Sequence, residues 1–374
     1  MVIIIRSNDI YSDPRVMKYV KFLQEGNRPY ILIGWNREGI CNTFNKENEY
    51  FLDRRAGFNV GGVKAVINRL FWMLFVLKTL NKLRICNASL HGCDLDSAFP
   101  AAVYKCFKGK NIQLIFDVFD WFSATLYNQR KYILFAFKQM EKFTVKHADK
   151  VIICEPERIE QIPYSEVKSK LEVFPNIPYF KNDSFLKYIN DYSFDNTLIT
   201  FAYVGGFSED RCIREIIEIA AAGHINLLIA GYGTSSCIEL LNRFKDSPCI
   251  KYFGKVTYQD ALNIMYNADI IYAMYATSNP NHIYAAPNKF YEAMFLGKPI
   301  FTTAGIILEK KVHTMQMGYV SGEHSEQILQ TIRTITLSDL REKGNNAHRI
   351  WINKYQNFTQ KFMDEIYRNI IGKV

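Results

Sequence analysis

Two cations, a carboxylate and a pair of glycines in the second half of the chain have the types and spacing to hold a diphosphate. Pro287 and Asn288 turn into the helical pattern KFYEAMFL, which Gly297 stops and Pro299 follows. The start of such a helix offers unpaired N–H groups and the positive end of a dipole, which suits a phosphate. Lys289 stands in that first turn, where a cation is unfavourable for the helix alone. A nearby diphosphate removes the penalty. Glu292, one turn on, is placed to accept hydrogen bonds from a hydroxyl-rich group. An ordinary helix with a solvated Lys and Glu is the other reading of these residues. Upstream, Gly205 and Gly206 open a loop in which backbone N–H groups can approach a ligand closely, and Arg211 at its end can fork onto a diphosphate.

A second set of candidates lies in the first half. Asn8, Asp13 and Arg15 follow the apolar run Val2 to Ile5. His91, Asp94 and Asp96 follow the strand-like Ile85 to Leu90, and Asp120 follows the strand predicted from Gln113 to Val118. Two successive strands thus end in acidic loops. A carboxylate at a strand end can orient an acceptor hydroxyl or take its proton. Asp13 and Asp96 can instead cap the helices that follow them.

The elements that must position these residues alternate strand and helix along the chain, which means parallel α/β sheets. In such sheets ligands bind beyond the carboxyl ends of the strands. With 374 residues the chain is too long for one ordinary core. The pattern predicts a domain over 1–178, a linker over 179–196 and a second doubly wound domain over 197–351. A final helical pattern, Ala347 to Ile371, carries Trp351, Tyr355, Phe358, Phe362, Ile366 and Ile370 near one face, and its part from about 352 to 374 is expected to pack back on the first domain. Residues 51–150 hold sixteen Lys/Arg against seven Asp/Glu, whereas the rest of the chain holds thirty of each, so the whole net charge of +9 arises there. Within that basic stretch, 62–84 is apolar nearly all round at its centre and flanked by Lys64, Arg69, Lys78, Lys82 and Arg84. It reads either as a helix lying in the headgroup region of a bilayer or as a buried helix with snorkelling ends. Residues 131–150 form a second basic, aromatic-rich helix. The longest uninterrupted apolar run, Leu70 to Leu77, is far short of the ~20 residues a spanning helix needs. No secretory signal is read at the start, and the eight cysteines include no CxxC pair. A cytoplasmic protein with reduced thiols is the expectation.

The stretches YVGGFSEDR, LLIAGYGT, IKYFGKV, YNADIIYAMY and APNKFYEAMFLGKPIF, in that order, resemble the nucleotide-sugar-binding domain of glycosyltransferase family four. SNDIYSDPRVMKYVKFLQEGNRPYILIGW, HGCDLDSAFPA and FDVFDWFS resemble its first domain. The resemblance implies a GT-B fold, two doubly wound Rossmann-like domains facing across a cleft, with the last helix crossing back onto the first. It implies retention of anomeric configuration without a metal or other cofactor. By the same resemblance Arg211 and Lys289 hold the donor diphosphate, Gly205 and Gly206 face the donor, and Glu292 takes the nucleotide ribose. Two departures stand out. Tyr284 occupies the place of a family Glu that meets the donor sugar, and Phe119 replaces a His before Asp120. Tyr284 and Asn288 complete the donor set. Asp94, Asp96 or Asp120 is left to serve the acceptor, with Asn8, Arg15 and His91 lining its site.

The function expected from this is transfer of a sugar from a nucleoside diphosphate, UDP before GDP, to a membrane-anchored lipid-linked saccharide in surface polysaccharide synthesis. The protein would then lie on the anionic inner face of the plasma membrane. A nucleotide-sugar 2-epimerase of the same fold and a catalytically silent transferase partner are the alternatives. Nucleic acid is not expected, because no recognised motif accompanies the basic half and its charges are interleaved with large apolar runs.

Overall fold

The computed structural model describes residues 1–11, 13–37, 47–56, 62–109, 111–126, 130–179, 185–188, 194 and 197–372. The chain divides into two compact units, Met1–Pro175 with Thr359–Val374, and Asn176–Phe358. Most of the expected linker, 179–196, lies outside the described residues.

The first unit is built on seven strands: β1 (Val2–Arg6), β2 (Tyr30–Asn36), β3 (Glu49–Asp53), β4 (Ala88–Cys93), β5 (Ile112–Val118), β6 (Lys150–Ile153) and β7 (Leu171–Val173). Their order is β3-β2-β1-β4-β5-β6-β7, every pair parallel. Parallel strands are covered on both faces, which is why β1 and β5 read as near-continuous apolar runs. The crossovers include α1 (Pro14–Glu25), α2 (Gly62–Lys82), α3 (Leu95–Lys108), α4 (Phe122–Thr125) and α5 (Lys131–His147). Asp13 caps α1, accepting from the backbone N–H of Arg15 and Val16 at 3.1 and 3.3 Å. The reading of 62–84 as a buried helix holds for one face of α2. Trp72, Val76 and Leu80 are buried in the core, while Ile67, Leu70, Phe71 and Leu74 face solvent.

The last residues of the chain join this unit through aromatic packing. Phe362 stacks on Phe174 with centroids 4.2 Å apart, and Tyr367 lies 4.8 Å from the ring of Tyr19. Trp351, Tyr355, Phe362 and Ile370 of the expected apolar face are buried.

The second unit has six parallel strands, β8 (Thr200–Phe207), β9 (Asn226–Gly233), β10 (Ile250–Tyr252), β11 (Ile270–Ala273), β12 (Ile300–Thr303) and β13 (Gly318–Ser321), in the order β10-β9-β8-β11-β12-β13. Between them run α6 (Ile213–Ala221), α7 (Ser235–Arg243), α8 (Tyr258–Tyr266), α9 (Pro280–Ile283) and α10 (Asn288–Leu296), among others. Gly297 adopts φ +64 and ends α10 with a left-handed cap.

Strand order reverses between β1 and β4 in one sheet and between β8 and β11 in the other. At such a point the loops leaving adjacent strands diverge to opposite faces and open a crevice at the carboxyl ends. Two element boundaries differ from the sequence expectation. β8 continues through Gly205 and Gly206, whose register partners are Gly231 and Tyr232 of β9. β4 includes His91, paired in register with Ile4 and Ile115, so that residue is a strand residue and not a loop residue.

Candidate functional site

The reversal point of the second sheet gathers the donor candidates. Gly205, near the end of β8, has φ +149, a conformation few side-chain-bearing residues adopt, and a Cβ there would sit 3.1 Å from Lys289 Nζ. Lys289 reaches this strand end from the first turn of α10, and Nζ lies 4.6 Å from the centroid of Tyr203. Tyr203 donates its hydroxyl proton to the Gly206 carbonyl at 2.5 Å, fixing the ring beneath the ammonium. Among the described residues no hydrogen bond or ion pair satisfies the Lys289 ammonium. Burial, reinforced by the charge of Arg211 and opposed by Glu292, lowers its pKa to about 8. Two cations are thus held close enough to repel each other at the end of a strand, beside a helix start.

Arg211 is positioned by a single tight turn, Glu209–Arg211, that follows β8. Its guanidinium lies over the ring of Tyr275, 4.4 Å from the centroid. Asp210, the residue before it, anchors the turn to the segment after β11. Its carbonyl accepts from Ala276 N at 2.8 Å. Its carboxylate accepts from Ser208 Oγ and from Asn279 Nδ2 and lies 3.4 Å from His282 Nε2. These partners, with Arg211, hold the Asp210 carboxyl below its ordinary pKa against the opposing effect of burial. His282 is itself buried, with Nδ1 3.1 Å from the Ala276 carbonyl. Asp210, Asn279 and His282 were not singled out in the sequence. A lone Asp between Glu and Arg gives no sign of a partner some 70 residues away.

Glu292 is buried on α10, and its Oε1 accepts from Tyr258 Oη at 2.9 Å. Tyr284 ends α9 and Asn288 begins α10, both half-buried on the segment that joins His282 to Lys289. The second unit therefore brings Gly205, Lys289 and Arg211 together, with Glu292 one turn further along α10.

The reversal point of the first sheet holds the carboxylates. Asp94 follows β4 with φ +67, a strained value for a residue with a side chain. Its Oδ1 accepts from the backbone N–H of Phe119 (3.0 Å) and Asp120 (3.4 Å), and its Oδ2 pairs with Arg6. Burial raises the carboxyl to about 6, and Asp120 and Asp96 add to the rise while Arg6 opposes it. Asp120 is exposed and bonded to Arg158 Nη2 at 3.1 Å. Asp96 lies inside α3, nearly buried, 3.8 Å from Arg69 Nε; its Oδ1 has no hydrogen-bond partner, so it does not act as a cap. Asn8 lies just past β1, and its carbonyl accepts from Trp35 N at 3.3 Å.

Arg15 and His91, expected beside the acceptor, have a different occupation. Both are buried around Asp117, which the sequence reading passed over. Arg15 donates to both Asp117 oxygens (Nη2 to Oδ1 2.7 Å, Nε to Oδ2 3.1 Å) and to the Phe174 carbonyl (2.6 Å). Tyr19 Oη donates to Asp117 Oδ2 at 2.9 Å, and His91 bridges Asp117 (3.5 Å) and Tyr367 Oη (2.9 Å). The signal for Asp117 was its presence inside the apolar run of β5, since a charge buried there requires a partner. His91, Cys93 and Asp117 also bring three ligand atoms within 4.8 Å of one another. The guanidinium already bound to Asp117 opposes a metal ion there.

No family model and no curated protein matches the chain. Solved structures do. Sucrose-phosphate synthase from Thermosynechococcus elongatus superposes with a TM-score of 0.72 at 14% identity, over 100% of each chain. HepE from Anabaena, in complex with UDP, gives 0.66 at 11% identity, over 98% of this chain and 100% of its own. WaaG, a glycosyltransferase involved in lipopolysaccharide biosynthesis, gives 0.64 at 14% identity, over 98% and 99%. Likeness over whole chains at such low identity establishes the architecture: two parallel α/β sheets in a fold of the GT-B type.

Proposed function

We propose that the protein is a retaining glycosyltransferase of the family-four kind, moving a sugar from a nucleoside-diphosphate donor to a lipid-linked saccharide at a membrane. One observation carries the donor half of this reading: among the described residues the Lys289 ammonium makes no hydrogen bond or ion pair, and it is held near Arg211 at the reversal point of the second sheet. A diphosphate supplies the missing negative charge. In the reaction the bond between the anomeric carbon and the diphosphate oxygen breaks. The diphosphate leaves with the electron pair, and Arg211 and Lys289 stabilise the charge it gains. The acceptor hydroxyl oxygen bonds to the anomeric carbon on the face that the diphosphate leaves, which retains the configuration, and we assign its proton to Asp94, whose raised pKa of about 6 suits a base working near neutrality. This scheme asks for no metal or other cofactor. UDP is the preferred donor nucleotide, as in the UDP complexes of the structural neighbours. A place on the inner face of the plasma membrane and a role in surface polysaccharide synthesis follow from the lipid-linked acceptor.

The test is binding of UDP and GDP by calorimetry. UDP is expected to bind the wild type. Arg211→Ala and Lys289→Ala are each expected to weaken it at least about tenfold, the loss typical of a charge-assisted contact. Wild-type affinity in both variants removes the reading.

A further inference from the structure

We propose that the outer face of α2 is a docking surface for an anionic bilayer; this deepens the membrane part of the reading above and rests on it. The helix GVKAVINRLFWMLFVLKTLNK contains no Asp or Glu. Its inner face, with Trp72, Met73, Val76 and Leu80, is buried against the sheet. On the other side Ile67, Leu70, Phe71 and Leu74 stand 43 to 52% exposed. Their spacing, i, i+3, i+4 and i+7, makes them one continuous stripe along the helix. Lone exposed apolar residues are ordinary, but a two-turn stripe of four large ones is not.

The ends of the stripe carry the charge. At roughly 100° per residue, Lys64, Lys78 and Lys82 fall on the same arc as the stripe, one before it and two beyond. Beside it, the Arg54 guanidinium lies over the Phe71 ring at 4.0 Å and is steadied by Asn68 Oδ1 at 3.0 Å. Arg55 next to it is exposed. Against these cations stands Asp53, which accepts from Asn36 Nδ2 at 3.0 Å. In the same layer α3 packs against both α2 and α5, and α5 exposes Tyr132 and Phe135 among Lys131 and Lys138.

An apolar centre with cationic ends matches a helix lying flat in a headgroup region, its large side chains among the acyl chains and its lysines at lipid phosphates. Among the described residues no helix is long and apolar enough to cross a membrane, so the helix lies in the plane of the surface. A second copy of the chain is the poorer occupant, because pairing two such faces sets lysines and arginines against lysines and arginines.

The experiment is flotation of the full chain with phosphatidylcholine vesicles, with and without phosphatidylglycerol. Binding is expected only where the anionic lipid is present, and it should weaken as salt is added. Phe71→Ser with Leu74→Ser, both at solvent-facing positions, should fold with unchanged circular dichroism and lose at least about tenfold in partitioning. Lys64→Gln with Lys78→Gln should lose about fivefold per lysine. Wild-type flotation of the serine variant overturns the proposal, as does failure of the wild type to bind anionic vesicles. A lipid-free dimer that the serine variant dissociates also overturns it, and assigns the stripe to self-association. UDP binding is measured on the same preparations. In the wild type, vesicle binding absent with UDP binding present counts against the surface alone; vesicle binding present without UDP binding counts against the donor reading alone.

Discussion

At the scale of single residues, Lys289 is the most informative position, because its two roles oppose each other. Its pKa near 8 lies below the ordinary 10.5, so between those values the folded protein has shed a proton the unfolded chain keeps. The ligand-free protein therefore carries the full penalty below about pH 8 and gains stability as pH rises through that window. A bound diphosphate favours the charged ammonium. UDP affinity should be steady from about pH 7 to about pH 8 and fall above it, with proton uptake near about pH 9. Calorimetry in buffers of different ionisation enthalpy reads both effects, and a flat affinity profile would exclude Lys289 from the anion site. Replacing the ammonium by an apolar chain of similar length separates the roles. Lys289→Met should raise the melting temperature by roughly 2–4 °C while abolishing UDP binding. Tyr203 beneath it and Gly205 beside it restrict where the ammonium can sit, which is why a glycine with φ +149 is needed there.

At the scale of elements, the turn carrying Arg211 is short and cannot hold itself. Cys212, which follows, adopts φ +50, uncommon for a residue with a side chain, and its carbonyl accepts from Tyr272 Oη at 2.9 Å. Asp210 ties the turn to Ala276, Asn279 and His282, on the segment that continues to α10 and Lys289. One carboxylate thus couples the two loops that bear the cations. Asp210→Ala should weaken UDP binding about tenfold although the side chain need not touch the nucleotide. In an Arg211→Ala background the same substitution should add little, leaving a coupling of about 1 kcal/mol in a double-mutant cycle. Additive losses would mean that Asp210 acts independently of Arg211.

At the scale of the whole molecule, the first unit is assembled around a buried ionic centre. Asp117 at the heart of β5 joins Arg15 of α1 and Tyr19, while His91 of β4 links it to Tyr367 near the end of the chain. The segment 359–374 is therefore held by a polar contact as well as by aromatic packing. Arg15, with hydrogen bonds and charge from His91, holds the Asp117 carboxyl well below the usual carboxylate range despite its burial. Asp117→Asn leaves the buried guanidinium without its counter-charge and should cost about 3–5 kcal/mol in urea unfolding. Because the folded-state pKa is depressed, this stabilisation is complete above the ordinary carboxylate pKa of about 3.9 and fades only as pH falls through the folded value. The difference between wild type and variant should thus be constant from about pH 7 to about pH 5. A difference that shrinks across that range would mean the carboxyl is not held by Arg15.

The sequence by itself determined the class of fold and the alternation of strand and helix along the chain. Parallel strands covered on both faces must be apolar runs, and glycine and proline punctuate the turns between them, so the alternation that builds both sheets is written locally. The diphosphate candidates were legible for the same reason: Gly205, Arg211 and Lys289 lie at strand and helix ends, which local pattern marks. Only the tertiary structure decided which side chains meet. The partners of Arg15 and His91 stand far along the chain; the apolar run of β5 marks Asp117 as a buried charge, but nothing local says that Arg15 will pair with it or that Arg158 will meet the exposed Asp120. The faces of α2 were decided the same way. A helix apolar on all sides carries no periodicity to say which side the core takes, and the packing of Trp72, Val76 and Leu80 against the sheet left Phe71 and Leu74 outside.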